Sequence, residues 1–592
     1  MKLSEKLIGK LKLYKWNILA LCLIAGVLST FMLQKEGYHM DELLSFELSN
    51  AEYNPWIVPT QPVGRLAKFV HEEIDGNSFT KTLQNLCEAV KDVAVNKGNS
   101  KLATYKADVY EEPVWIDRQA FTDYLTVDGT DDFNYLSVYF NVKDDNHPPL
   151  HFMLLHTVSS VFKGQIAPFM GGLINLAAIL GACVLLMKIG NLLWQDKKYG
   201  IAAALLYGMS SGAVATQLLI RMYGVLTFFC VAALYIHLKK WKSGDFAHNK
   251  ALVLVTVLGF WTQYFFLFYM LILAAVMAAG LLHRKRFADL KKYVLSMVTA
   301  AALGLVCFPF AVSDVFRSSR GVEALEKLGS GFAEYGERLL GFGKILTERV
   351  LGGMTGILLI LGVAAVTWIF RFMKKKKSGT VKAAEKKTEH AKVPESTGDI
   401  AAAAAASDGW VKAILIVPVI GYFLLAAKLS PYLVDRYIMA VFPFAALLLV
   451  AALVHLKMPF AGMMAVAAGF FILLFSYDGE YLYRGYQLQE SMAEKYGEYP
   501  CICVYEGSGY YENLIEFTKY ERTLLVTPAE LLERTADEVL DAGEPVVVLV
   551  KGGLCSKPIK EYLENRYGYR MTEELVRESV YGDRICLYEQ AE

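Results

Sequence analysis

The 592-residue sequence is short of charge and of cysteine, and both shortages limit what the protein can be. Charged residues make up only 20%, and 60 Lys and Arg are balanced by 59 Asp and Glu, which argues against nucleic acid as a partner. The nine cysteines form no CxxC or Cys/His cluster, so a structural zinc site is not expected. Residues 491–592 contain no phosphate-binding glycine loop and no nucleophile elbow, and GSGYY at 507–511 is typical of a plain turn after a strand.

Apolar residues, in contrast, are abundant and clustered. They make up 55% of the chain, and the mean hydropathy is +0.33. Runs of about 17–23 residues with almost no charge are long enough to cross the roughly 30 Å hydrocarbon core as helices. The first run, 17–33, follows a lysine-rich segment and precedes no small-residue cleavage site, which predicts a retained helix with a cytoplasmic N-terminus. Further runs recur between residues 147 and 476, so we predict a polytopic α-helical membrane protein with about 11–13 transmembrane helices.

Basic clusters predict which ends of these helices are cytoplasmic. They lie at 197–200, 237–242, 283–286 and 374–377, and the positive-inside rule places each of them inside. One segment, 147–163, leaves the count open. If it crosses the membrane, every later helix is inverted, so either this segment does not cross fully or a nearby crossing has been missed or merged.

Composition also divides the chain into domains. We predict a membrane domain over 1–490 that contains a large first extracytoplasmic loop at 34–146. The charged, alanine-rich segment 374–408 is typical of a disordered cytoplasmic linker. Residues 491–592 form the tail, which we predict to be an extracytoplasmic domain of its own.

The tail reads as a small α/β domain. The segments CICVYEG, TLLVT and PVVVLVK are typical of buried strands, and amphipathic helices lie between them. This alternation predicts a mainly parallel sheet, and the segment ELVRESVYGDRICLYEQ predicts a closing hairpin. Because the tail holds no plausible catalytic group, we expect it to be dispensable for the chemical step.

Two motifs offer acids and a histidine near the outer surface. HMDELLSFELS follows the first helix and presents Asp41 and Glu42 at the start of a short interfacial helix. The alternative is that Asp41 is only an N-cap beside an acid that favours the helix dipole. DDNHPPLHFMLLH places Asp145 and His147 just before a proline-initiated helix, and the alternative for His147 is a helix cap.

Two further motifs offer cations and tyrosines. QLLIRMYGVLTFF places Arg221 and Tyr223 between two apolar runs, and DRYIMAVFPF opens a later membrane helix with Arg436 and Tyr437. A cation at membrane depth is costly without an anionic partner, and a lipid phosphate is one such partner. The alternatives are snorkelling of Arg221 to lipid headgroups and an interfacial anchor in which Arg436 pairs with Asp435.

Together the motifs place carboxylates, a histidine and cations on one face of the membrane. Cations stabilise a departing phosphate, and a carboxylate takes the proton of an attacking hydroxyl. In their order along the chain and in their residues, these four motifs resemble those of the C-type membrane glycosyltransferases. The likeness covers about residues 10–480 and is greatest to the bacterial relatives of the protein O-mannosyltransferase and aminoarabinose transferase families, the family 39 type.

The resemblance implies transfer of a sugar from a polyprenyl-phosphate donor to a protein, glycan or lipid acceptor outside the bacterial plasma membrane. It makes Asp41 and Glu42 the catalytic acid pair, with Asp145 as a second choice of base. It assigns the donor phosphate to His147, although the aminoarabinose-transferring relatives have a lysine there, and to a set of later side chains: Arg221, Tyr223, Arg436 and Tyr437. It assigns no cofactor and no metal, and it leaves a divalent ion open.

Two alternatives to this function stay open at the level of the sequence. One is a transferase that modifies a cell-surface polymer or lipid with a larger donor. The other, from a different class, is a transporter or flippase of lipid-linked glycans. Transporter sites usually lie at the membrane midplane, whereas the charged groups here gather at one surface.

Overall fold

The computed structural model describes residues 2–55, 57–58, 65–76, 78–106, 113–317, 322–323, 326–327, 332–382, 408–484, 491–533, 536–577 and 582–590. Contacts between Cα atoms group the chain into two compact units. The first, called the membrane unit, comprises Met1–Leu33, Asn146–Leu150 and Gly172–Glu480. The second, called the mixed unit, comprises Gln34–Asp145, His151–Gly171 and Tyr481–Glu592. The predicted boundary at residue 490 differs from this grouping, because the first loop joins the tail.

The secondary structure is mainly helical. The first half contains α1 Lys2–Met32, α2 Met40–Asn50, α3 Arg65–Phe69, α4 Phe79–Asn96, α5 Lys101–Thr104, β1 Trp115–Asp117, α6 Arg118–Leu125, α7 Tyr135–Asn141, α8 Leu150–Val161, α9 Pro168–Trp194, α10 Lys197–Gly208, α11 Ser211–Leu218, α12 Tyr223–Ser243, α13 Lys250–Thr262, α14 Phe265–His283 and α15 Phe287–Cys307. The second half contains α16 Ala311–Arg317, α17 Phe332–Leu351, α18 Gly353–Lys382, α19 Gly409–Leu429, α20 Phe442–His455, α21 Phe460–Leu473, α22 Ala493–Tyr496, β2 Cys501–Val504, α23 Leu514–Phe517, β3 Arg522–Val526, α24 Pro528–Leu532, α25 Asp537–Ala542, β4 Val546–Val550, α26 Ser556–Tyr567, β5 Tyr569–Val576 and β6 Arg584–Gln590.

The chain is a multi-pass membrane protein. Among the described residues, 8 helices are long and apolar enough to cross a membrane, and the bent pair α10–α11 raises the number to 9. Three shorter apolar helices accompany them, in α8, in α13 and over Phe460–Ser476. The predicted helical membrane fold is therefore confirmed, and the predicted 11–13 crossings require some of these shorter helices to span.

The structure addresses the uncertain segment 147–163. Only Leu150–Val161 is helical there, and 12 residues of α-helix extend about 18 Å. This is shorter than the roughly 30 Å hydrocarbon core. The orientation predicted from the basic clusters is consistent along the chain if α8 does not cross and α13, which has 13 residues, does.

The predicted linker 374–408 is described only at its ends. Helix α18 continues through Lys382, so the linker prediction is wrong for residues 374–382. The long apolar helix is extended here by residues that favour helix, chiefly a run of lysines. Residues 383–407 lie outside the described residues.

The mixed unit is built on a six-stranded sheet with the order β1-β3-β2-β4-β6-β5. The central strands β2 and β4 are buried along their whole length, and they are continuous apolar runs, as expected for strands covered on both faces. Strand β5 alternates between inward and exposed residues and lies at one edge. The predicted strands and the closing β5–β6 hairpin are confirmed.

The prediction of a mainly parallel sheet is wrong. Only β2–β3 and β2–β4 are parallel, while β1–β3, β4–β6 and β5–β6 are antiparallel. The closing hairpin makes β4–β6 and β5–β6 antiparallel, and β1, which comes from the first loop, pairs antiparallel with β3, with Ile116 opposite Thr523 of the tail. Arg118, directly after β1, donates to the backbone oxygens of Gly497 and Tyr520. Loop and tail therefore share one sheet and one core.

Candidate functional site

The predicted acid pair opens helix α2, and a capping box fixes its first turn. The ring Nδ1 of His39 accepts the backbone N–H of Asp41 at 3.0 Å, and the carboxylate of Glu42 accepts the N–H of His39 at 2.8 Å. These bonds satisfy two of the backbone donors that a helix start leaves without partners. The N-cap is therefore His39, and the alternative that Asp41 itself caps the helix is wrong.

Glu42 is fully buried and ion-paired. Its Oε2 lies 3.0 Å from the Nζ atom of Lys35, and neither side chain is more than 1% exposed. Lys35 also donates to the backbone oxygen of Tyr481 at 2.8 Å and lies 4.6 Å from the ring centroid of Tyr483. Burial lowers the pKa of Lys35, and the Glu42 carboxylate opposes that shift. Glu42 therefore stabilises the start of α2.

Asp41 differs from its neighbour in being partly accessible, with 23% of its side chain exposed. Its Oδ2 lies 3.6 Å from Nδ1 of His39. Because the same Nδ1 accepts the Asp41 amide, it carries no proton, and this approach is not a hydrogen bond. The geometry leaves an accessible carboxylate beside a rigid, buried ion pair, which is an arrangement suited to general-base chemistry.

Asp145, the second candidate base, lies in the same mixed unit and is partly buried. Its charge acts on the hydroxyl of Tyr511 in the tail, whose pKa is raised mainly by burial and then by the carboxyl groups of Glu47 and Asp145. Asp145 therefore lies near the loop–tail contact.

The predicted cation site falls in the membrane unit. Arg221 lies in the break between α11 and α12 and is only 3% exposed. Its Nη2 atom is 3.5 Å from both ring nitrogens of His147, at the outer limit of a hydrogen bond. The second and third motifs, which are 74 residues apart in sequence, thus meet at one point.

Aromatic contacts join the third motif to the fourth. The ring of Tyr223 meets the ring of Tyr437 edge-on, with centroids 6.3 Å apart. The guanidinium of Arg436 lies 5.5 Å from the ring centroid of its neighbour Tyr437. The backbone oxygen of Tyr437 accepts the hydroxyl of Tyr422 at 3.0 Å, which fixes the start of this segment. The predicted phosphate-binding residues therefore form two contacting groups, His147 with Arg221 and Tyr223 with Arg436 and Tyr437, which together are called the cation cluster.

A third arginine lies beside this cluster. Arg349, near the end of α17, is 2.8 Å from the buried carboxylate of Asp435 and donates to the hydroxyl of Tyr477 at 3.0 Å. The anchor alternative paired Asp435 with Arg436, whereas the structure pairs Asp435 with Arg349. Arg349 also lines a cavity of about 280 Å³ whose other polar residues are Ser210, Ser211, Glu348, Thr355, Ser476 and Tyr477.

Sequence reasoning missed Lys35, Glu47 and Arg349. Lys35 follows the first helix directly, where a lysine is an ordinary interfacial residue, and only the fold shows its buried pairing with Glu42. Arg349 lies in an amphipathic helix with many other charges and has no local motif. Glu47 could have been identified from the sequence, because it is a lone acid on the apolar face of α2.

No group of three or more His, Cys, Asp or Glu residues is placed to hold a metal ion in the part of the chain that the structure describes.

No protein-family profile and no curated protein matches this chain. It is similar to two crystal structures of ArnT, an aminoarabinose transferase, from Cupriavidus metallidurans. The structure bound to undecaprenyl phosphate is 11% identical with a TM-score of 0.47, over 97% of this chain and 98% of that one. The apo structure is 12% identical with a TM-score of 0.40, over 80% of this chain and 94% of that one. ArnT is of the type that the motifs resemble, but similarity this distant carries no inference about function.

Proposed function

We propose that the protein transfers a sugar from a polyprenyl-phosphate carrier to an acceptor hydroxyl or amine at the outer face of the membrane. The observation that carries the proposal is the contrast within the acid pair. Glu42 is buried and ion-paired with Lys35, while Asp41 beside it is partly exposed. The buried ion pair fixes the helix start that carries the accessible carboxylate. A carboxylate positioned in this way is suited to proton transfer.

The proposed reaction is a single displacement at the anomeric carbon. The acceptor oxygen or nitrogen bonds to that carbon, and its proton passes to the carboxylate of Asp41. The bond between the anomeric carbon and the phosphate oxygen breaks, and the carrier phosphate leaves with the electron pair. Arg221 and Arg436, with His147, stabilise the charge that develops on the phosphate. Tyr437 holds the guanidinium of Arg436 through the ring contact described above, and Tyr223 packs against Tyr437.

The direct test is turnover by the purified protein in lipid nanodiscs. Undecaprenyl phosphate bearing mannose, glucose or aminoarabinose serves as the donor panel, and release of undecaprenyl phosphate is measured with cell-envelope extract as the acceptor source. We expect release from at least one donor, with the product inverted at the anomeric carbon. A product of retained configuration contradicts the single displacement, and no release from any donor contradicts the proposed class.

The transporter alternative is favoured by one observation. Helices α10 and α11 form a broken span bent by 62°, and the break at Met209 and Ser210 lines the cavity beside Arg349. Broken helices near the midplane are typical of transporter sites. The two functions separate in liposomes, because a flippase moves a fluorescent lipid-linked sugar across the bilayer without cleaving it, whereas a transferase releases the carrier phosphate.

A further inference from the structure

The sheet of the tail has a strand order that is common in ligand-binding α/β domains. The chain runs from β2 to β3 on one side of β2 and then to β4 on its other side, so the strand order reverses between β2 and β4. In such sheets ligands bind beyond the carboxyl ends of the strands at this reversal. The segment after β2 is the 3₁₀ turn Gly509–Asn513, called here the tyrosine turn, and Lys551 directly follows β4.

A buried polar network fixes the tyrosine turn. The Nζ atom of Lys551 lies 2.7 Å from Glu512 and 2.8 Å from Asp583. Asn513 donates to Asp583 at 3.2 Å and accepts from Arg577. Every one of these side chains is less than a tenth exposed. Buried charges that are paired and hydrogen-bonded in this way hold a single arrangement, because any alternative leaves a charge unsatisfied.

What packs against the tyrosine turn is helix α2, the helix that carries the acid pair. The turn presents Tyr510 and Tyr511, whose rings are stacked with centroids 4.3 Å apart and which are 5% and 6% exposed. Glu47 of α2 is fully buried, and its charge is among the causes that raise the pKa of Tyr510, of Tyr511 and of Tyr124 on α6. The edge of the sheet that binds ligands in other α/β domains therefore faces a helix of the same chain.

Glu47 is suited to this contact as a neutral acid. Its side chain is fully buried, and no cation is paired with it among the described residues. Burial raises its pKa well above the usual value, and the backbone of Ile57 opposes the shift. An ionised carboxylate here would be strongly destabilising, whereas a protonated one packs as a polar side chain of ordinary size. Asp41 lies six residues earlier on α2, about 9 Å along the helix axis.

We propose that the tail positions the acid pair: the packing of the tyrosine turn against α2, the helix in which Glu47 is buried, sets the orientation of α2 and thereby of Asp41 and Glu42. The inference rests on the proposed function for its catalytic consequence, and on the contacts alone for its structural part. Glu47, Tyr510 and Tyr511 are positioning residues, since they act through α2. The tail is then a part of the active enzyme.

The structural part is tested by hydrogen exchange in the full-length protein. Tyr510→Ala with Tyr511→Ala should raise the exchange rate of the α2 amides at least tenfold and leave α12 of the membrane unit unchanged. The matched control is Tyr562→Ala with Tyr567→Ala, the contacting tyrosine pair of the same domain, whose ring centroids are 5.4 Å apart. Unchanged exchange in α2, or an equal rise in the control, overturns the contact as a specific positioning element.

The catalytic part is tested by separating turnover from binding. Tyr511→Ala and Glu47→Ala should lower kcat at least tenfold while the Kd for undecaprenyl phosphate changes less than twofold. Tyr511→Phe and Glu47→Gln keep shape and neutrality and should retain at least a third of the wild-type kcat. Alanine variants with normal kcat overturn the positioning role, as does equal loss in the conservative variants. A wild-type protein without turnover, but with the exchange result above, would instead refute only the proposed function.

Discussion

Lys35 and Glu42 are buried together, and removing one should cost far more than removing both. A buried pair that loses one partner leaves an uncompensated charge, at a cost of about 3–5 kcal/mol, whereas apolar replacement of both partners is often neutral. We expect Lys35→Met to lower the temperature at which the detergent-solubilised protein aggregates, read by size-exclusion chromatography after heating. Lys35→Met with Glu42→Leu should recover most of that loss. A double variant less stable than Lys35→Met would show that the pair is not the source of the effect.

The cation cluster makes a prediction about the carrier lipid. Arg221 lies beside His147, and Arg436 lies beside Tyr437. Charge-assisted contacts to an anion contribute about 1.5–3 kcal/mol each. Replacing either arginine with alanine should therefore weaken binding of undecaprenyl phosphate about ten- to a hundredfold. Microscale thermophoresis in nanodiscs measures this, with Arg371→Ala on the exposed face of α18 as the control. Unchanged affinity in both variants would return the two arginines to a structural role.

At the scale of single residues, the sequence marks side chains with unusual placement but not their partners. Asp41, Glu42 and Arg221 are identifiable because an acid or a cation next to an apolar run is costly. The pairing of Asp435 with Arg349 cannot be read in this way, because it depends on how α17 packs beside the segment that precedes α20. The different roles of Asp41 and Glu42 cannot be predicted from the sequence either. The two acids are adjacent in sequence, and only the structure shows that Glu42 is buried and Asp41 is partly exposed.

Strand β1 connects the first loop to the tail, and this revises the expected effect of truncation. The sequence predicts that the tail is dispensable for the chemical step. In the structure, deleting residues 491–592 removes β3, the partner of β1, and the tyrosine turn that packs on α2. We expect such a truncation to expose the loop 34–146 to trypsin at concentrations that leave the full-length loop intact. A truncated protein with a protease-resistant loop and normal turnover would contradict this.

Elements with a strong local pattern are the ones that the sequence predicts. The apolar runs β2 and β4 and the alternating β5 are identifiable as strands, and the turn between β5 and β6 as a hairpin. Strand β1 has only three residues, Trp115–Asp117, within a long polar loop. Nothing local identifies it as a strand, so the pairing of the loop with the tail could not be predicted. Helix α8 has the composition of a crossing, and only the structure shows that it has 12 residues.

At the scale of the whole molecule, the lysine-rich N-terminus and the basic clusters predict that both the loop and the tail are extracytoplasmic. The shared sheet requires at least that loop and tail lie on the same side of the membrane, because β1 and β3 are hydrogen-bonded. Protease added to intact protoplasts should digest the tail and spare the segment 374–408. Antibodies against epitope tags at either position report the cuts. Cleavage within 374–408 from outside would overturn this orientation.

We propose Asp41 as the base of a glycosyl transfer, and the substitution Asp41→Asn tests this role. Asp41→Asn keeps the side chain's shape and removes its ability to take a proton, and a positioned base typically contributes about 10²–10⁴-fold in rate. Asp123→Asn, on α6 of the same mixed unit, removes the same charge and is the matched control.

The measurement is the turnover of undecaprenyl-phosphate-linked sugar by both variants, alongside their binding of undecaprenyl phosphate. We predict a loss of about 10²–10⁴-fold for Asp41→Asn with binding intact, and normal turnover for Asp123→Asn. Normal turnover of Asp41→Asn would contradict Asp41 as the base. If Asp145→Asn is then inactive, Asp145 is the base, and if it also turns over normally, neither carboxylate is.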